Sequence, residues 1–141
     1  MQFARLGRLS LAQLPTAFEE AARIERLFPG VRLFLKRDDL TGPALGGNKA
    51  RKLEFLLADA QRQGAEVVLT VGGPQSNHAR ITAALAARLG MECVLVLEGG
   101  EPEEIQGNLL LDQLLGARVR FAGPRPVQEV MEELGDGLRA Q

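Results

Sequence analysis

Tryptophan and tyrosine are absent from this 141-residue chain, cysteine and histidine occur once each, and the six aromatic residues are all Phe. The single Cys93 excludes an internal disulfide framework and cannot by itself hold a metal. No apolar run approaches the roughly 20 residues that a membrane-spanning helix needs. The opening MQFARLGRLS lacks the apolar core of a signal peptide. A net charge of −1 gives no basic field for nucleic acid or for an anionic membrane surface. Neither GxGxxG nor GxxxxGKS/T occurs, which argues against the common nucleotide-binding loops. What is present, 45% hydrophobic and 25% charged residues, is enough for the core of one ordinary domain. The expectation is a cytoplasmic α/β protein that uses neither nucleic acid nor membrane as a partner.

Lysine is the scarcity that points somewhere. Of the 17 basic residues only three are Lys, and Lys36, Lys49 and Lys52 fall within one short segment. The chain uses Arg wherever a generic cation will do; Lys differs in that it can lose its proton and act as an amine nucleophile. Two of the three lie in GGNKARK (46–52), where Asn48 reads as a helix cap and Lys49, Arg51 and Lys52 crowd the first turn. That end of a helix carries partial positive charge and ordinarily collects Asp and Glu.

Periodicity supplies the framework. Residues 17–28 place Ala21, Ile24, Leu27 and Phe28 on one helical stripe, and 31–37 alternates as a strand. Helices are expected over 48–63, 78–89 and 105–115, each followed by Gly, with a further helix after Pro126. The apolar runs 66–71, 92–98 and 117–123 read as buried strands. This order predicts an α/β fold, a parallel sheet with helices on both faces. The last helix carries no stop signal before Gln141, which suggests a piece of a longer protein.

Ligands of such sheets bind where strands hand over to helices. Two unusual loops are expected there, GGNK before helix 48–63 and GGPQSNH before helix 78–89. Paired glycines permit close backbone approach, and helix-start N–H groups suit a carboxylate or phosphate. Ser76 and Asn77 are also good caps, but Gln75, Ser76, Asn77 and His78 in a row exceed what a cap needs. A lysine at the positive end of a helix has its ammonium form disfavoured, which suits a Schiff-base amine. Lys52, three residues on, shares its face, so one amine could bond to an aldehyde while the other pairs with an anion on the same ligand. Pyridoxal phosphate is an aldehyde that carries a phosphate. The rival reading of Lys49 and Lys52 is a pair of solvated surface cations.

KRDDLTGPALGGNKARKLEFLLADA together with TVGGPQSNHARITAALAARLGM resembles the pyridoxal-phosphate enzymes of the D-cysteine desulfhydrase and 1-aminocyclopropane-1-carboxylate deaminase family. The resemblance covers nearly the whole chain. It implies a tryptophan-synthase-β-like fold (fold type II), here incomplete, with 1–40 as lead-in to the large domain and 41–141 as most of the small one. It implies pyridoxal 5'-phosphate as cofactor, Lys49 as its covalent anchor, and Lys52 near the phosphate. Asn48 and Asn77 are expected beside the cofactor, and Ser76 in catalysis. Gln75, Ser76, Asn77 and His78 are expected around the substrate. KRDD (36–39) and QSNH (75–78), in place of KRED and QSNQ, look more like the desulfhydrase branch. The implied reaction converts D-cysteine to pyruvate, ammonia and hydrogen sulfide, in a homodimeric cytoplasmic enzyme. Deamination of 1-aminocyclopropane-1-carboxylate is the alternative.

Family members run to roughly twice this length. Their glycine-rich phosphate loop, the group facing the pyridine nitrogen and a tyrosine used by the deaminases are expected beyond residue 141, so the chain alone is expected to be inactive. A non-covalent phosphate-binding α/β module is a further alternative, though it leaves QSNH and the placement of Lys49 unexplained. Self-association through an exposed sheet edge is a third reading. No metal site is expected: Asp38 and Asp39 read as turn residues, and Cys93 as a small core residue.

Overall fold

The computed structural model describes residues 6–140. The first residues of the opening stretch read for a leader, and Gln141 of the last helix, lie outside them. The order is β1 (Phe18–Glu20), α1 (Ala22–Glu25), β2 (Phe34–Lys36), α2 (Lys49–Arg62), β3 (Val67–Gly72), α3 (Asn77–Leu89), β4 (Glu92–Leu97), α4 (Gly107–Leu114), β5 (Arg118–Phe121) and α5 (Val127–Arg139).

β3, β4 and β5 form a parallel sheet in that spatial order, with Val67 opposite Glu92 and Val94 opposite Arg118. All three strands therefore end on one side, at Gly72, Leu97 and Phe121. Alternation along β4 decides which face meets which helices. Cys93, Leu95 and Leu97 join Ala50, Leu53 and Leu57 of α2, Ile81 and Leu85 of α3, and Leu109 of α4 in one core. Val96 points to the other face, where Val127, Val130, Met131 and Leu134 of α5 cover it. Helices thus lie on both faces, as expected. Complete burial of Ile81, Leu85, Leu95 and Leu97 contributes about 1.5–3 kcal/mol per side chain before entropy is counted.

Two expectations need correction. Residues 17–28 are not one helix. Phe18–Glu20 pairs antiparallel with Phe34–Lys36, and Phe18 stacks on Phe34 at 5.0 Å between ring centroids. Strand pairing overrides helical periodicity here because the stripe has no core to enter: Ile24, Leu27 and Phe28 all remain exposed. The strand in 31–37 accordingly belongs to this small separate ribbon and not to the parallel sheet. No helix among the described residues is long and apolar enough to cross a membrane.

Candidate functional site

The loop before α2 is built by Thr41, which is fully buried. Its hydroxyl accepts from Gly47 N–H at 2.8 Å and lies within hydrogen-bond distance of the Asp38 and Gly47 carbonyls. Ala44 and Leu45 both take positive φ, a strained conformation for residues with a Cβ. Gly46 is obligatory. With φ of 69°, any Cβ there would lie 1.9 Å from the Asp39 carbonyl oxygen.

The crowded cations of α2 separate into two kinds. Arg51 is structural: it grips Asp38 through Nε at 2.9 Å and Nη2 at 2.6 Å, and also donates to the Thr16 hydroxyl. That grip, with further help from Thr16 and Lys36, holds the Asp38 carboxyl below its ordinary range against the opposing effect of burial. Asp39 pairs with Arg37. No group of three or more His, Cys, Asp or Glu placed to hold a metal occurs among the described residues. Lys36 donates to the Thr16 carbonyl. Lys49 and Lys52 are different: among the described residues neither amine has a hydrogen-bond or ion-pair partner. Asn48 precedes them with a backbone already helical and no capping bond, so its side chain is not a cap.

At α3 the cap is Ser76, whose Oγ accepts from Ala79 N–H at 3.2 Å. Gln75 turns away to the start of α4. Its carboxamide donates to the Gln106 carbonyl at 3.0 Å and accepts from Asn108 N–H at 2.8 Å. Asn77 is exposed, and its Oδ1 accepts from Arg80 at 2.6 Å and from the Asn108 amide at 3.2 Å. With its oxygen engaged, the Asn77 side chain has only N–H left to offer a ligand. His78 sits half-buried against β3, with Nε2 3.2 Å from the Thr70 hydroxyl. Burial first, then the positive charges of Lys52 and Lys49, push its imidazole below the ordinary range.

An open recess of about 550 Å³ is lined by Lys36, Asp38, Gly46, Asn48, Asn77 and Arg80 among others, whereas Lys49, Lys52 and Ser76 are not part of its lining. The structure therefore joins the two loops, though GGNK follows no strand of the parallel sheet. Cross-connection replaces strand order as the means: Arg80 of α3 donates to the Gly46 carbonyl at 2.9 Å. The unpaired amines of Lys49 and Lys52 stand at the start of α2, beside a recess that offers an amide N–H donor and glycine backbone, and that chemistry suits an aldehyde bearing a phosphate. They do not by themselves enclose one.

A family model described as "Pyridoxal-phosphate dependent enzyme" matches residues 9–137. The chain belongs to that family. Pyridoxal phosphate is accordingly its cofactor class, and the family is one of enzymes. A D-cysteine desulfhydrase of Klebsiella pneumoniae (strain 342) is 44% identical over 144 residues, covering 97% of this chain and 43% of that protein. A Pyrococcus horikoshii protein provisionally named as a 1-aminocyclopropane-1-carboxylate deaminase is 42% identical over 141 residues, covering 98% of this chain and 42% of that protein. A crystal structure of an ACC deaminase homologue superposes with a TM-score of 0.90 at 40% identity, over 98% of this chain and 42% of that one. The chain spans about two fifths of the length of those curated relatives.

Arg80, Asn108 and Thr41 escaped the sequence reading. Arg80 carries the same signal that singled out Lys49, a cation in the first turn of a helix. Asn108 and Thr41 carry no local signal, since their roles depend on partners 31 and 6 residues away.

Proposed function

We propose that the protein breaks down a small amino acid with pyridoxal phosphate, and that the substrate is D-cysteine, released as pyruvate, ammonia and hydrogen sulfide. The observation that carries this reading is the pair of partnerless amines, Lys49 and Lys52, at the start of α2. The loop that carries them is tied to the α3 entrance, which holds Ser76 and Asn77, by the Arg80 bond to the Gly46 carbonyl. Bound cofactor would supply the electron sink that stabilises charge at the substrate Cα. Lys49 would hold the cofactor aldehyde through its amine and, once displaced by the substrate amine, take the Cα proton at Nζ. Lys52 would pair with the phosphate, Asn77 would donate its N–H to the ring oxygen, and Asn48 would line the same recess. The Ser76 hydroxyl and the first N–H groups of α3 suit the substrate carboxylate. Gln75 and His78 would act from behind, Gln75 through α4 and His78 beside β3.

KRDD and QSNH favour desulfuration. The 42% identity with the Pyrococcus horikoshii relative supports the second reading, deamination of 1-aminocyclopropane-1-carboxylate. The proposal extends to a cytoplasmic homodimer in which residues 1–40 lead into a large domain and 41–141 form the small one. It also holds residues 1–141 to be inactive alone. Borohydride reduction of the full-length protein with pyridoxal phosphate, followed by peptide mapping, tests the anchor. The adduct is expected on Lys49 alone; labelling spread over Lys36, Lys49 and Lys52 sinks the assignment. Sulfide release from D-cysteine against ammonia release from 1-aminocyclopropane-1-carboxylate then separates the two substrates.

A further inference from the structure

Arg80 is 6% exposed and lies in the first turn of α3, where both burial and the helix end disfavour a cation. A buried guanidinium persists only where hydrogen bonds and opposite charge compensate it. Three bonds do so here. Nη1 donates to Asn77 Oδ1 at 2.6 Å and to Asn108 Oδ1 at 2.7 Å, and Nη2 donates to the Gly46 carbonyl at 2.9 Å. The Arg80 Nε has no partner, and the fully buried Asp112 of α4, whose own carboxylate oxygens are likewise unpartnered, forms no ion pair with it among the described residues. Burial raises the Asp112 carboxyl to about 6, and the Arg80 charge pulls the other way.

The three acceptors belong to three segments. Gly46 is three residues before Lys49, in a backbone conformation that tolerates no Cβ. Asn77 opens α3, and Asn108 lies in the first turn of α4. Asn108 in turn donates to the Gln75 carbonyl and to Asn77 Oδ1, so the guanidinium is braced from the side.

We propose that Arg80, braced by Asn108, is a positioning residue that sets Lys49 against Asn77. It does so by tying the Gly46 carbonyl to the Asn77 side chain. This rests on the reading of Lys49 and Asn77 as cofactor-binding residues. The chemistry it serves is recognition of an aldehyde carbon by one loop and of an adjacent oxygen by the other. Neither side chain can meet its target if the loops drift independently. The contact also decides the sense of the Asn77 amide. With the guanidinium and the Asn108 amide both donating to Oδ1, only N–H is left for a ligand; losing the guanidinium removes the shorter of those two bonds and loosens the hold on that sense of the amide.

The test uses the full-length protein, stripped of cofactor and titrated with pyridoxal phosphate at a temperature where each variant is fully folded by circular dichroism. Two quantities are read, the dissociation constant and the maximum of the visible absorption band. Arg80→Met is expected to weaken binding by roughly tenfold or more and to move the band, since charge-assisted bonds at this depth are lost. Asn108→Ala, at a partly buried position, is expected to weaken it by roughly threefold with a smaller movement, and it carries the test if Arg80→Met does not fold. A folded Arg80→Met or Asn108→Ala protein with a lowered melting temperature but unchanged affinity and band would overturn the proposal, because a merely structural role predicts that result. A wild-type protein that shows no band at all would instead overturn the cofactor reading beneath it.

Discussion

His78 is the only histidine in the chain, so its titration can be read without assignment ambiguity. Burial, then Lys52, then Lys49 hold its imidazole below the ordinary value of 6.5. The unfolded chain therefore binds the proton more readily than the folded one. Stability is lost as pH falls below 6.5 toward the depressed folded value, and the neutral ring is kept above that window. Proton NMR of the ring should give a midpoint below 6.5. Lys52→Met should move that midpoint upward without restoring it fully, because burial, the larger cause, is untouched. A midpoint indifferent to Lys52 would mean that the amine points away from α3. Cys93 follows the same logic in the opposite sense: burial pushes its thiol up to about 12, so it behaves as a small core residue and not as a nucleophile.

At the scale of elements, the question is how much of QSNH is cap and how much is site. Ser76 caps α3 through Ala79 N–H, and replacing such a cap by Ala costs about 1 kcal/mol. Ser76→Asp keeps a capping oxygen, whereas Ser76→Ala does not. Urea denaturation should therefore show Ser76→Ala less stable by about 1 kcal/mol and Ser76→Asp close to the parent. If the hydroxyl also handles the substrate carboxylate, both variants lose turnover, because an added carboxylate repels one already there. Full activity in Ser76→Asp would reduce Ser76 to its capping role. Gly107 shows the same interlocking: with φ of 59°, a Cβ there would lie 2.4 Å from Gln75 Oε1, so α4 begins only where Gln75 leaves room.

Across the whole molecule, apolar surface is left uncovered around the β1–β2 ribbon. Leu27 is 74% exposed and Phe18 66%, and Phe28, Phe34 and Leu35 stand exposed beside them. The two outer strands of the parallel sheet, β3 and β5, each present one edge with unpaired backbone groups. Patches of this kind mark surfaces that bury against something else. Residues 1–141 expressed alone are therefore expected to self-associate at tens of micromolar, with Phe18→Ser and Leu35→Lys together reducing it. Sedimentation velocity across a concentration series decides: a monomer unchanged by dilution or by the double substitution would show that this face tolerates water.

The sequence by itself determined the parallel core and the identity of the two loops. The apolar runs at 66–71 and 92–98, glycines closing three of the helices and three lysines confined to one segment are local signals, readable without partners. It failed at 17–28, where helical periodicity and strand pairing compete and only the presence of residues 34–36 across the ribbon decides. Its geometric reason for pairing the loops was also incomplete. GGNK does not follow a strand of the parallel sheet; the buried Arg80 brings it to α3 across 34 residues of chain. The bonds of the Gln75 carboxamide to the start of α4 likewise carry no local signal. Such assignments depend on which acceptor a long side chain meets, and that is fixed only when desolvation inside a packed core makes every unpaired donor costly.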